Sequence, residues 1–183
     1  MTIVFVFAAS ADSQRGHMLA LVMFVLAATS DWLDGYLARR MGLVTPLGKL
    51  LDPLADKILV CTGFVFFAVE GFCPLWVAAL IIGREFLVTG LRQIAVEAGQ
   101  VLAADRLGKW KTAFQLAFCI TGLVWLAFPA GSGIAPVAIL RSWADPESWL
   151  LGVFLWGAVV LTAVSGFNYV WNSRNLLWGS LKG

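Results

Sequence analysis

Long apolar segments follow one another along this chain, with only short polar connections between them. Runs bounded by polar residues, glycine or proline predict membrane-spanning helices near 17–38, 50–69, 74–96, 110–129 and 147–171. Hydrophobic residues make up 60% of the 183 positions, and the mean hydropathy is +0.85. This composition excludes a soluble domain, and the length leaves no room for an extramembrane one. We therefore expect a single all-α integral membrane domain over residues 1–183, with membrane lipids as neighbours and no nucleic-acid partner.

A sixth apolar segment, residues 2–10, is too short to cross a bilayer. Even the ten residues 1–10 would extend only about 15 Å as a helix, which is half of the hydrocarbon core. No basic segment or cleavage site accompanies it, so a signal peptide is not indicated. We expect a six-helix bundle with an incomplete first span. Either the chain starts late, within the first helix of a longer form, which we favour, or the segment is a partial helix packed on its neighbours.

Basic residues are distributed unevenly between the two predicted sides of the membrane. Eleven of the thirteen Lys and Arg residues lie on or toward the side formed by 39–49, 97–109 and 172–183. The positive-inside rule makes this side cytoplasmic. The connection 130–146 on the other side is expected to be a long loop. Tryptophans near the predicted span ends are expected to anchor the helices at the interface: Trp76, Trp110, Trp149, Trp171 and Trp178.

Four aspartates lie at the predicted cytoplasmic ends of the second and third spans. Asp31 and Asp34 are three residues apart, and Asp52 and Asp56 are four apart, so each pair projects from one face of its helix. The connector between the two helices is short and contains glycine and proline, which enforces an antiparallel hairpin. We therefore expect the two carboxylate pairs to face each other at one depth.

This group of carboxylates predicts a metal site. An ionised side chain in the membrane costs several kcal/mol, so four together require a compensating partner. Oxygen-only ligands suit Mg²⁺ or Mn²⁺, and two such ions can clamp a phosphoryl group during displacement. We expect a two-metal site on the four aspartates. Helix capping, or pairing with nearby basic residues, would explain one such aspartate better than four: Arg39, Arg40, Lys49 and Lys57.

Two glycines and an arginine accompany the aspartates. Gly35 lies one turn after Asp31, and Gly48 lies one turn before Asp52, so a bulky ligand can approach the backbone on those faces. Arg39 lies just beyond the carboxylates, where it either contacts phosphate oxygens or holds an aspartate in place. The sequence leaves both roles of Arg39 open.

The whole run follows the pattern D-x2-D-G-x2-A-R-x8-G-x3-D-x3-D. Every fixed position is matched, by Asp31, Asp34, Gly35, Ala38, Arg39, Gly48, Asp52 and Asp56. The run resembles the signature of the CDP-alcohol phosphatidyltransferases. The segments G-R-E-F and T-G-L-R within 83–92, L-G-K-W-K-T at 107–112, and L-T through Tyr at 161–169 resemble bacterial members that use sn-glycerol 3-phosphate.

The resemblance implies a six-helix fold, usually a homodimer, in the bacterial inner membrane with its active site toward the cytoplasm. The implied reaction transfers the phosphatidyl group of CDP-diacylglycerol to sn-glycerol 3-phosphate and releases CMP. Asp31, Asp34 and Asp52 would hold the metals that bind the CDP diphosphate, and Asp56 would complete the site and act as the base. The other signature residues are implied to bind the CDP donor: Gly35, Ala38, Arg39 and Gly48.

An acceptor that carries a phosphate needs positive charge near the anionic donor. Arg84, Arg92, Lys109 and Lys111 lie toward the same cytoplasmic end and are expected to form the acceptor phosphate pocket. The alternative is a positive flank that only contacts lipid headgroups.

Two other functions are compatible with part of the pattern. A related enzyme with inositol phosphate, serine or phosphatidylglycerol as acceptor would share the aspartates but differ in the fourth and fifth spans. A divalent-cation transporter would also line helices with carboxylates, but it would not explain Gly35, Arg39 and Gly48.

Three cysteines are scattered through apolar sequence: Cys61, Cys73 and Cys119. An odd number without a C-x-x-C spacing indicates neither a disulfide framework nor a thiolate metal site. We expect them to be small core side chains.

Overall fold

The computed structural model of the chain is all-helical in the part that it describes. Backbone is described for residues 1–11, 13–41, 46–97, 106–128 and 135–180, and side chains for 1–11, 13–30, 57–96, 107–128, 138–139 and 141–174. Within these ranges there are seven helices and no strand. They are α1 (Thr2–Ala9), α2 (Gln14–Met41), α3 (Pro46–Val69), α4 (Leu75–Glu97), α5 (Arg106–Ala127), α6 (Ala135–Ala144) and α7 (Trp149–Ser180).

All six predicted helical segments are present, as α1 to α5 and α7. Among the described residues, two segments are long and apolar enough to cross a membrane, Leu107–Ala127 and Trp149–Arg174, and Lys57–Val69 is a shorter apolar helix. The crossing of a membrane by the five longer segments stays a prediction.

The connection 130–146, expected to be a loop, contains the additional helix α6. Pro136 falls in its first turn, where the missing N–H would have no helical acceptor. Arg141 of α6 donates to the backbone carbonyls of Trp125 (3.4 Å) and Phe128, and its guanidinium carbon lies 4.9 Å from the Trp125 ring centroid. Carbonyls at a helix end lack helical donors, so Arg141 caps α5 and ties α6 to it.

Aromatic side chains form the core that joins the first three helices to α5. Phe5 of α1 is fully buried, with ring centroids 5.3 Å from Phe24 of α2 and 6.3 Å from Phe66 of α3. Phe64 stacks on Phe118 of α5 at 5.1 Å. The segment 2–9 is therefore a short helix packed on its neighbours through Phe5.

Helices α4 and α5 both pack against α7. At Gly157, an added Cβ would lie 2.4 Å from the Phe114 ring, so only glycine lets this ring lie against the α7 backbone. The close contact brings the first half of α5 beside the first third of α7. Polar side chains of α4, α5 and α7 meet in the following turns of α7.

The cysteines behave as predicted. Cys73 and Cys119 are buried in the core and Cys61 is half-buried, and no disulfide joins these cysteines in the described structure. The Cys73 sulfur lies 3.9 Å from the Phe64 carbonyl oxygen.

Cys73 lies in the turn between α3 and α4, where burial raises the pKa of its thiol to about 11. Because thiolate is the reactive form, we expect alkylation by iodoacetamide to be slow at pH 8 and to increase up to about pH 11. The folded state holds this proton more tightly than the unfolded chain, so stability falls as the pH rises from about 8.5 toward 11. The measurement is the labelling rate against pH in the double variant Cys61→Ser, Cys119→Ser.

The same double variant unfolded in SDS provides the reference, and its labelling should be half-maximal near pH 8.5. Equal midpoints for the folded and the unfolded protein would contradict the raised pKa.

Candidate active site

The aspartate run lies on α2 and α3, which pack against each other. The backbone is helical through Asp31, Asp34, Asp52 and Asp56, as the spacing argument requires. The side chains of residues 31–56 lie outside the described part of the structure. The facing of the two pairs, and the roles of Gly35, Ala38, Arg39 and Gly48, therefore stay predictions. Among the described side chains there is no group of three or more metal-binding residues.

A buried ion-pair cluster joins α4 to α5. Lys111 donates from Nζ to Oε1 of Glu85, and Arg84 places Nη1 3.5 Å from the same oxygen. Glu85 is 5% exposed and Lys111 is 3% exposed. A buried charge is tolerated only with a partner, so this carboxylate holds both cations in place.

Arg84 is also held by α7. Its Nε and Nη2 donate to the hydroxyl of Ser165 at 3.1 and 2.7 Å, and Ser165 is fully buried. The next residue, Gly166, leaves room for the arginine, since an added Cβ would lie 3.2 Å from Cγ of Arg84. The guanidinium is thus fixed between Glu85 of its own helix and Ser165 of α7.

Arg92 lies two turns further along α4 and contacts the next turn of α7. Its Nε donates to the Tyr169 hydroxyl at 3.2 Å, and its Nη2 donates to the same oxygen. The Tyr169 ring is buried, and both guanidinium carbons lie over it, Arg92 at 5.2 Å and Arg84 at 5.8 Å from the centroid. The two arginines therefore share one aromatic side chain.

Of the four predicted basic residues, the structure brings Arg84, Arg92 and Lys111 to this region and leaves Lys109 apart from it. Lys109 is exposed at the beginning of α5. Residues two apart on a helix point in nearly opposite directions, which explains why Lys111 is buried while Lys109 is not.

Several polar contacts of this region were not predicted from the sequence: Glu85, Ser165, Tyr169 and the hydrogen bond of 3.3 Å from Gln115 to Thr162. A signal was available on α7. Thr162, Ser165, Tyr169 and Ser173 recur every three or four residues and so share one face of an apolar helix. Polar residues on such a helix face the protein interior, which all four do.

The cluster has the charge of an anion site. Arg84, Arg92 and Lys111 contribute three positive charges and Glu85 one negative charge, so two positive charges remain. Exposure decreases from Arg92, which is exposed, to Lys111, which is buried. Such an arrangement can receive an anion at Arg92 and neutralise it beside Arg84.

Comparison with known proteins agrees with this chemistry. Residues 1–164 match the family model for CDP-alcohol phosphatidyltransferase. A protein of Bacillus subtilis (strain 168), named CDP-diacylglycerol--glycerol-3-phosphate 3-phosphatidyltransferase, is 40% identical over 166 residues, which cover 91% of this chain and 77% of that protein. Proteins of the same name from Rickettsia typhi and Sodalis glossinidius are each 36% identical, cover 86% of this chain, and are themselves covered to 82% and 79%. The chain belongs to the CDP-alcohol phosphatidyltransferase family.

Proposed function

We propose that this protein transfers the phosphatidyl group of CDP-diacylglycerol to sn-glycerol 3-phosphate, giving phosphatidylglycerophosphate and CMP. The observation that carries the proposal is the similarity over most of the chain to relatives whose names state this reaction. The cationic cluster on α4 and α5 supports a phosphorylated acceptor, because a phosphorylated alcohol needs a positively charged partner and an unphosphorylated one does not.

The acceptor phosphate is proposed to bind at Arg84, Arg92 and Lys111. A phosphomonoester carries about −1.5 to −2 charges near pH 7, which matches the two positive charges left after Glu85 is counted. Arginine presents a planar fork of N–H donors to phosphate oxygens, and lysine adds a point charge. Lys109, exposed at the helix start, is proposed to attract the anion rather than to hold it.

The donor is proposed to bind at the aspartate run. Its all-oxygen donor set fits Mg²⁺ or Mn²⁺, and the helical backbone through both pairs is compatible with one shared site. Bound metals would neutralise the diphosphate and the charge that develops during displacement. Asp31, Asp34 and Asp52 are proposed as ligands together with Asp56, and the remaining signature residues as contacts of the donor: Gly35, Ala38, Arg39 and Gly48.

The reaction is proposed to be a displacement at phosphorus. The Asp56 carboxylate accepts the proton of the acceptor hydroxyl. The hydroxyl oxygen forms a bond to the phosphorus that carries diacylglycerol, and the bond from that phosphorus to the bridging diphosphate oxygen breaks. CMP leaves with the electron pair of the broken bond. The cationic cluster holds the acceptor phosphate so that its hydroxyl meets the donor.

We also propose that the protein is a multi-pass protein of the bacterial cytoplasmic membrane, with its site on the cytoplasmic side, and that it is a homodimer. Support for the membrane comes from the two apolar helices, the positive-inside distribution and exposed tryptophans near the ends of the predicted spans: Trp76, Trp110, Trp149 and Trp171. The dimer is proposed from the family resemblance alone.

The test is CMP release from CDP-diacylglycerol by the detergent-purified chain. Parallel reactions contain sn-glycerol 3-phosphate, inositol phosphate, serine, phosphatidylglycerol or no acceptor, each with Mg²⁺, Mn²⁺ or EDTA. We expect release that requires both the metal and glycerol 3-phosphate. CMP release that occurs only with another acceptor would overturn the proposal that glycerol 3-phosphate is the acceptor. CMP release in EDTA would overturn the proposed metal site.

A further inference from the structure

Tyr169 of α7 is the point at which the two arginines of α4 come together. Its hydroxyl accepts two hydrogen bonds from Arg92, and its ring lies under the guanidinium groups of both Arg92 and Arg84. The two guanidinium carbons lie 5.2 and 5.8 Å from one ring centroid, so they can be no further apart than the sum of these distances. Both charges are thus confined around a single buried side chain.

Sequence spacing alone would not hold the arginines in this way. Arg84 and Arg92 are eight residues apart, which separates their backbones by about 12 Å along the helix axis. Long arginine side chains lose rotamer freedom when they are fixed, and this loss weakens ligand binding unless the protein already holds the side chains in place. A ring contacted by both groups reduces that cost before the ligand arrives.

The contacts of Arg92 leave part of its guanidinium for a ligand. Nε and one N–H of Nη2 serve the Tyr169 hydroxyl. Within the described part of the structure, no contact is made by Nη1, and the Arg92 side chain is exposed. The donors that remain lie on the side away from the tyrosine oxygen. Tyr169 therefore fixes the position of the Arg92 guanidinium group and also the direction in which its remaining N–H donors point.

We propose that Tyr169 is a positioning residue for the acceptor: it holds the guanidinium groups of Arg84 and Arg92 around one ring, at the place that receives the acceptor phosphate. Ser165 has the same task for Arg84 alone, through its two hydrogen bonds to Nε and Nη2. The inference rests on the proposed function, because it presumes that the phosphate belongs to sn-glycerol 3-phosphate. Tyr169 itself touches the arginines and takes no part in the chemical step.

The test compares Tyr169→Phe and Tyr169→Leu with the parent protein. The phenylalanine variant keeps the ring and loses the hydroxyl, whereas the leucine variant loses both. We expect KM for sn-glycerol 3-phosphate to rise about tenfold in Tyr169→Phe, since hydrogen bonds to a charged group are lost, and further in Tyr169→Leu. KM for CDP-diacylglycerol should stay within about twofold in Tyr169→Phe, because Tyr169 is proposed to act on the acceptor alone. A residue that only supports the fold would instead change KM for both substrates alike.

Helix α7 offers matched controls. Ser165→Ala should raise the acceptor KM, because Ser165 bonds Arg84. Ser173→Ala removes a hydroxyl that is equally buried on the same face but has no hydrogen-bond partner in the described structure, and it should leave both KM values unchanged. An unchanged acceptor KM in Tyr169→Phe, or an equal rise for donor and acceptor, would overturn the role of Tyr169. A parent protein whose CMP release does not depend on glycerol 3-phosphate would instead overturn the proposed function.

Discussion

Asp56→Asn is expected to lower kcat for CMP release by about 10³-fold, within the range that general-base catalysis contributes. The amide keeps the shape of the side chain but cannot accept the proton of the acceptor hydroxyl. Three other aspartates remain to hold metal, so binding of CDP-diacylglycerol should largely survive. The measurements are kcat at saturating acceptor and the thermal shift that CDP-diacylglycerol produces in the presence of Mg²⁺.

Two comparisons separate this role from a loss of charge or of metal. Asp31→Asn should weaken donor binding, since it removes a proposed ligand without removing the base. Glu70→Gln alters an exposed carboxylate in the turn after α3, at the opposite end of that helix from the aspartates, and should leave kcat unchanged. Wild-type turnover by Asp56→Asn would exclude Asp56 as the base. Loss of the thermal shift in this variant would show instead that Asp56 is needed to bind the metals.

Five of the helices could be predicted because each is a long apolar run with clear ends, and the short α1 because it too is apolar. The exception, α6, shows the limit of that signal. Its ten residues are too few to be stable as an isolated helix, and it is held by the contact of Arg141 with the carbonyls that end α5. A contact with another segment leaves no periodic pattern in the sequence, so the connection was expected to be a loop.

The candidate site likewise contains residues that the sequence predicts and contacts that it does not. The aspartate signature could be found because its spacing is fixed within two adjacent helices. Ser165 and Tyr169 were not predicted: their spacing places them on one face of α7, but their partners on α4 depend on which helices are neighbours. The difference between Lys109 and Lys111 depends on the rotation of α5 about its own axis, which is set by the helices against which it packs.

The ion pair between Glu85 and Lys111 should be among the most sensitive contacts in the molecule. Glu85→Met deprives a buried ammonium group of this carboxylate, and we expect a loss of about 3–5 kcal/mol in the free energy of unfolding. The effect should be measurable in SDS titrations of the detergent-solubilised protein. Glu147→Met provides the control, because Glu147 is exposed and surface substitutions usually change stability by less than about 0.5 kcal/mol.

The double variant Glu85→Met, Lys111→Met separates stability from function. Removing both charges replaces the ion pair with apolar side chains, which is often neutral or stabilising, so the double variant should be more stable than either single variant. Its acceptor KM should nevertheless stay high, because the Lys111 charge and the carboxylate beside Arg84 are both absent. Recovery of stability without recovery of acceptor binding would assign the pair to the phosphate pocket. Recovery of both would mean that it serves only to join α4 to α5, and additive losses of stability would show that the two side chains are not coupled.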